Sequence, residues 1–209
     1  SKKASRRLRK IVNNYKETND QYKNELSMNF KFENDYVQKQ FTYLTNQGYP
    51  VYNNSNAYFL SWGEIKWQEM LVELKKAKHF IFMEYFIMEE GLFWDSILEI
   101  LEQKVKDGVE VRVLYDDFGC AGKLPNKYYK TLEKKGIKCI AFNPLKLYFS
   151  TRMNNRDHRK ICVIDGVTGF CGGINLADEY INEKNRFGVW KDTAVLLRGD
   201  CVWSLTLMF

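Results

Sequence analysis

The chain has 209 residues, 45% of them hydrophobic and 15% aromatic, with a formal net charge of +6. That composition excludes a disordered polypeptide and suits one domain of ordinary size with a sizeable core. No run of 18 apolar residues occurs, so no stretch is long and apolar enough for a membrane-spanning helix. The charge is concentrated at one end. Residues 1–10 hold Lys2, Lys3, Arg6, Arg7, Arg9 and Lys10 and no acid, and the rest of the chain balances 26 basic against 26 acidic side chains. A basic arm of this kind suits anionic lipid headgroups, at about 1 kcal/mol per basic side chain near the surface, or nucleic acid. The neutral body argues against a dedicated nucleic-acid-binding surface. Cys120, Cys139, Cys162, Cys171 and Cys201 show neither paired metal spacing nor a disulfide framework, and read as small core side chains in a reducing compartment.

In chain order, residues 1–33 read as the basic arm and a polar linker, and 34–209 as the folded domain. From Asn34 a helical pattern (Tyr36, Val37, Phe41, Leu44) runs to Gly48, a C-terminal cap. Short strands are predicted at Val51–Tyr52 and over 57–60. A helix over 62–76 is expected to bury Ile65, Met70, Leu71 and Leu74. Residues 80–87 are a continuous apolar run broken only by Glu84, which predicts a buried central strand. A helix over 92–107 ends at Gly108, a second buried strand covers 109–115, a helix over 126–135 is closed by Gly136, and a third strand covers 137–142. This alternation predicts an α/β fold. A hairpin of 159–164 with 168–171 and a strand over 191–197 add antiparallel partners. The expected architecture is a mixed central β-sheet flanked by helices on both faces. Asp200 reads as the N-cap of a last helix that has no stop signal and ends on Leu207, Met208 and Phe209. With Ser1 in place of Met, this predicts a piece of a longer polypeptide.

The stretch richest in chemistry is Asn154 to Gly166, followed by Gly172-Gly173-Ile174-Asn175. It has the form His-x-Lys-x4-Asp, a turn, then Gly-Gly-x-Asn. His158 and Lys160 stand two apart, so on a strand they share a face. With no Cys or second His nearby they make a poor metal site and a good phosphate site. Lys160 supplies a point charge to a phosphate oxygen, and neutral His158 can attack phosphorus or move a proton. Gly172 and Gly173 allow close backbone approach, and the Asn175 amide can donate. Glu84, alone in its apolar strand, needs a partner: either a structural hydrogen bond or a place lining the cleft at the strand's C-terminal end. Asp116 and Asp117 end the next strand. Paired acids can bind Mg²⁺, but the cation Lys160 already supplies favours a capping role. Tyr148 and Phe149 precede the motif in an aperiodic stretch suited either to acyl chains or to packing.

His158, Lys160, Asp165, Gly172, Gly173 and Asn175 resemble the signature of the phospholipase D superfamily, and the wider context from about Asn34 onward resembles its bacterial cardiolipin synthases. The supporting segments include Glu84 to Ile87, Gly108 to Asp116, Gly172 to Asn182 and Trp190 to Thr193. The resemblance implies a phosphatidyltransferase that condenses two phosphatidylglycerols to cardiolipin and glycerol, with His158 as nucleophile, Lys160, Asn175 and Gly173 on the phosphate, and Asp165 as a structural motif acid. Asp192, in Trp190-x-Asp192, is a weaker match to an acid that orients the histidine. It implies no metal and no cofactor, an anionic phospholipid substrate, the cytoplasmic face of the bacterial membrane, and an anchor upstream of residue 1. Such proteins use two motifs. This chain has one, and His79, its other histidine, lacks the pattern. The second half is expected from the rest of the polypeptide or from a homodimer partner. Departures from the one-motif nucleases, Gly173 for Ser and Arg186 near an expected acid, lower a nuclease reading. The alternatives are a phospholipase D-type phosphodiesterase acting as a dimer on lipid, with water as acceptor, or on nucleic acid, and a non-catalytic membrane-docking module.

Overall fold

The computed structural model describes residues 31–47, 49–144 and 155–209, and the chain divides into two compact units, Ser1–Ser55 and Asn56–Phe209. The basic residues 2–10, Gly48, Tyr148 and Phe149 lie outside the described residues. In the first unit, helix α1 (Asp35–Asn46) is capped by Asn34, whose side-chain oxygen accepts from the backbone N–H of Tyr36 at 2.9 Å and of Val37 at 3.4 Å. That satisfies two of the four unpaired donors of the first turn.

The second unit is built on a seven-stranded sheet. Its elements are β1 (Ser55–Leu60), α2 (Gly63–Lys75), β2 (Phe80–Tyr85), α3 (Leu92–Lys106), β3 (Glu110–Asp116), α4 (Tyr128–Lys134), β4 (Lys138–Phe142), β5 (Lys160–Ile164), β6 (Thr168–Gly172), a 3₁₀ turn (Asp178–Ile181), β7 (Ala194–Gly199) and α5 (Val202–Met208). The strand order is β1-β7-β6-β5-β2-β3-β4. β2, β3 and β4 run parallel, β5 pairs antiparallel with β2, and β5, β6 and β7 form an antiparallel meander. The mixed sheet expected from the sequence is therefore present, with β5, the motif strand, at its centre. Burial on both faces accounts for the apolar run in β5, Ile161-Cys162-Val163-Ile164, every residue of which is buried.

One face carries the main core. Met70 and Leu74 of α2, Phe93, Trp94, Ile97 and Leu101 of α3, and Leu132 of α4 cover Ile81, Met83, Val111, Val113, Cys162 and Phe170. The other face carries a smaller cluster, in which Val202 and Leu205 of α5 pack on Ile161 and Val163 beside Phe80 and Phe82. The Phe209 ring stacks on Phe82 with centroids 4.7 Å apart. Helices thus lie on both faces.

Local differences from the sequence reading have physical causes. Val51–Tyr52 stays outside the sheet, whose edge strand begins at Ser55. On α2 the buried face is Gly63, Lys66, Met70, Glu73 and Leu74, while Ile65 is 42% exposed. Lys66, Met70 and Leu74 stand four apart and share a helix face, which turns Ile65 outward. β7 starts at Ala194, because the Asp192 carboxylate accepts from the Thr193 N–H at 2.7 Å and withdraws that donor from the ladder. The N-cap of α5 is Cys201 and not Asp200, with no side-chain cap hydrogen bond; Asp200 contributes only its backbone carbonyl, which accepts from the Trp203 N–H at 3.1 Å.

Candidate active site

β5 and the segment after β6 bring the motif residues together. Antiparallel pairing sets Tyr85 opposite Lys160 and Glu84 opposite Ile161. Directly paired residues point to the same face, so Lys160 lies with Tyr85 on the main-core face and Glu84 lies on the other. His158 is exposed, and its ring packs on Phe86 with centroids 4.7 Å apart. The Lys160 ammonium sits 5.3 Å from the same ring and donates to the His158 carbonyl at 2.6 Å. Phe86, at the C-terminal end of β2, is the platform on which the histidine and the lysine converge. Burial pushes the Lys160 ammonium down to about 8, against the pull of Asp192 and Asp157.

Asn175 is buried and held at both ends of its amide. Its oxygen accepts from the Ile87 N–H at 2.9 Å, and its nitrogen donates to the Tyr180 hydroxyl at 2.8 Å. Among the described residues the second amide hydrogen makes no further hydrogen bond. The backbone just after it is stitched to the segment that follows β2, since Leu176 donates to the Ile87 carbonyl and accepts from the Glu89 N–H. The two glycines are required by proximity. A Cβ at Gly172 would lie 2.6 Å from the Ala194 Cα and the Thr193 oxygen, and one at Gly173 would lie 2.3 Å from an Asp192 carboxylate oxygen. Asp192 therefore presses against the turn, within electrostatic reach of Lys160. Among the described residues no hydrogen bond joins it to the His158 ring.

Asp165 sits at the far end of β5 in the left-handed region. Its carboxylate accepts from the N–H groups of Lys78, His79 and Phe80 at 2.8, 2.8 and 2.9 Å, and these bonds hold it below the usual carboxylate range despite its burial. His79 is thus placed at the opposite end of β2 from His158.

Glu84 does not line the cleft. It lies on the other face of the sheet with Asp157 and Arg159, the two residues that flank His158. Arg159 bonds Glu84 at 2.7 Å, Asp157 at 3.0 Å and the Met208 carbonyl at 2.7 Å. Burial first, then the Asp157 carboxyl, push Glu84 up to about 8 against Arg159. Asp157 is held low despite its burial, because Glu84 and Arg159 donate to it. Asp116 takes the capping role. It is fully buried and accepts from the N–H groups of Phe118 at 2.9 Å, Gly119 at 3.0 Å and Asp157 at 3.0 Å. Asp116 thereby fixes the chain immediately before His158. Among the described residues no group of three or more His, Cys, Asp or Glu side chains is placed to share a metal ion. Phe86, Tyr180 and the Asp157–Arg159 pair are site residues that motif spacing alone does not single out.

A mixed α/β sheet thus sets the His-x-Lys strand near the Gly-Gly-x-Asn turn. The chain belongs to the cardiolipin synthase, PLD-like domain family, whose model matches residues 70–194. It is 56% identical over 162 residues to an uncharacterised protein of Streptococcus mutans, covering 78% of this chain and 35% of that one. It is 41% identical over 162 residues to a cardiolipin synthase of Geobacillus kaustophilus, covering 77% and 32%. The chain therefore spans about a third of the length of these relatives. The fold matches that of Nuc, a phospholipase D family member from Salmonella typhimurium, with a TM-score of 0.53 at 16% identity over 74% of this chain and 90% of that one.

Proposed function

We propose that the chain is one half of a cardiolipin synthase active site, acting on phosphatidylglycerol at the cytoplasmic face of a bacterial membrane. The observation that carries this is the convergence of His158 and Lys160 on Phe86, beside the Gly172–Asn175 turn, in a chain of this family. His158 attacks the phosphorus of one phosphatidylglycerol, a phosphorus–nitrogen bond forms, and the bond to the headgroup glycerol breaks. A histidine from a second motif gives its proton to the departing glycerol. It then takes the proton from the headgroup hydroxyl of a second phosphatidylglycerol, whose oxygen displaces His158 and yields cardiolipin. Lys160 and the free Asn175 hydrogen balance charge on the phosphoryl oxygens. Exposure of His158 leaves it open to a partner motif, which the remainder of the polypeptide or a second copy supplies. The basic arm at residues 2–10 supports docking on anionic lipid.

The test is lipid product analysis on phosphatidylglycerol vesicles with EDTA present, for this chain and for a polypeptide extended to the length of its relatives. Cardiolipin and glycerol formed by the longer protein and abolished by His158→Ala are the expected result. Phosphatidic acid as the main product would assign water as acceptor and a phospholipase. Product that survives His158→Ala, or that requires a metal ion, overturns the reading.

A further inference from the structure

Lys66 is fully buried, on the face of α2 that packs into the core. A buried ammonium is costly unless something offsets it. Its one hydrogen bond among the described residues goes to the carbonyl of Ile174, at 2.7 Å, inside the Gly-Gly-x-Asn turn and one residue before Asn175. It also lies 4.9 Å from the centre of the Tyr85 ring, and Tyr85 is the residue paired with Lys160 across β2 and β5. The first turn of α2 also grips the 3₁₀ turn that follows and carries Tyr180, at two points. The Glu64 carboxylate accepts from the Asn182 amide at 2.7 Å, and a Cβ at Gly63 would lie 1.8 Å from the Tyr180 carbonyl oxygen.

The charges around Lys66 form a pattern. Asp192, pressed on Gly173, attracts both Lys66 and Lys160, and the two lysines repel each other. Tyr85 on β2, Cys162 on β5 and Cys171 on β6 are the other titratable groups facing it. Asp192 is the one acid that acts on both lysines, and Asp157, which also attracts Lys160, is bonded to Arg159 on the other face of the sheet. An anion bound above the turn would offset the repulsion between the two lysines. A methionine would fill the same space at less cost in desolvation, so packing does not explain a lysine here.

We propose that Lys66 is a positioning residue of the phosphate site, holding the Gly172–Asn175 turn through the Ile174 carbonyl and adding a second, buried positive charge beneath a bound phosphate. This rests on the reading of that turn as the phosphate site. The consequence is reciprocal: an anion in the site must favour protonated Lys66, and protonated Lys66 must favour the anion. Without an anion, burial drives the Lys66 ammonium down to about 7, so an anion in the site is expected to increase its protonated share near neutral pH.

The test uses tungstate, a phosphate-like dianion that does not itself titrate near neutral pH. Calorimetric titration into the chain at pH 6.5 is expected to show binding weakened about tenfold by Lys66→Met, the size of one partly screened unit charge, while the melting temperature does not fall below that of the wild type, since the variant no longer buries an ammonium. Wild-type affinity is expected to fall as pH rises through about 7, a step that Lys66→Met removes. In the wild type, NMR of the lysine side chains is expected to show tungstate raising the Lys66 titration midpoint, a readout that does not depend on the variant folding. Tungstate affinity unchanged by Lys66→Met, a Lys66 midpoint unmoved by tungstate, or no tungstate binding at all overturns the proposal. Lipid product analysis separates it from the transferase reading: a chain that binds tungstate through Lys66 while the longer protein forms no cardiolipin sinks the transferase and leaves Lys66 in place.

Discussion

Lys160 does two things at once, and they pull on its charge in opposite directions. In the proposed role it is buried to meet phosphate without competing water, and burial lowers its ammonium to about 8. The charge proposed to bind the substrate is therefore lost as pH rises through that value. For the transferase, kcat/KM is expected to fall about tenfold per pH unit above roughly 8, since this ratio reports the free enzyme. Lys160→Arg keeps its charge at every accessible pH, so its profile is expected to stay level to about pH 10 at a lower absolute rate, because a planar guanidinium does not reproduce a point charge. Coincident wild-type and variant profiles would mean that Lys160 does not set the alkaline limb. The nearby Lys66 shows what a residue-level sequence reading cannot reach. Its spacing from Met70 and Leu74 was visible, but hydropathy assigns a lysine to solvent, and the Ile174 carbonyl that it bonds lies 108 residues along the chain.

At the scale of elements, the hydrophobic period gave most helices and central strands to within a few residues, because burial on one or both faces is written into local sequence. Contacts made by residues far apart in the chain were not legible. The N-terminus of α3 has no capping side chain of its own, because Gly91 precedes it. Asp178, 86 residues downstream, accepts from the Leu92 N–H at 3.0 Å and the Phe93 N–H at 2.8 Å. A Cβ at Gly91 would collide with that carboxylate at 2.5 Å, which accounts for glycine where Ser or Asp is usual. Asp178→Ala is expected to lower unfolding stability by about 1 kcal/mol, within the range for a lost N-cap. Hydrogen exchange should quicken at Leu92 and Phe93 before it does in the centre of α3. Unchanged protection there would show that packing of Phe93 and Trp94, not the cap, fixes the helix start. Asp178 also opens the 3₁₀ turn that carries Tyr180, so this cap ties α3 to the residue that holds Asn175.

For the whole molecule, two buried groups on opposite faces of the sheet impose opposite dependences on pH. Glu84 titrates near 8 in the folded chain and near 4.5 when unfolded. Between those values the folded state holds a proton that the unfolded state lacks, so stability falls as pH rises. Lys66 titrates near 7 folded and 10.5 unfolded. Over that window the unfolded state holds the extra proton, so stability rises with pH, and Lys160 adds to the rise above about 8. The two slopes oppose each other between about 7 and 8. The urea midpoint, measured from pH 5 to 10 without a bound anion, is therefore expected to pass through a minimum between about pH 7 and 8. Glu84→Gln, which keeps a donor toward Asp157 and cannot ionise, should remove the falling limb. Lys66→Met should weaken the rising limb and leave the part that belongs to Lys160. A wild-type midpoint that peaks near neutral pH would mean that neither group keeps its perturbed titration in solution. A minimum that tungstate lifts would place the cost of Lys66 where the phosphate site recovers it. The half of the molecule that binds substrate would then be least stable when empty and near the pH at which the transferase is expected to work.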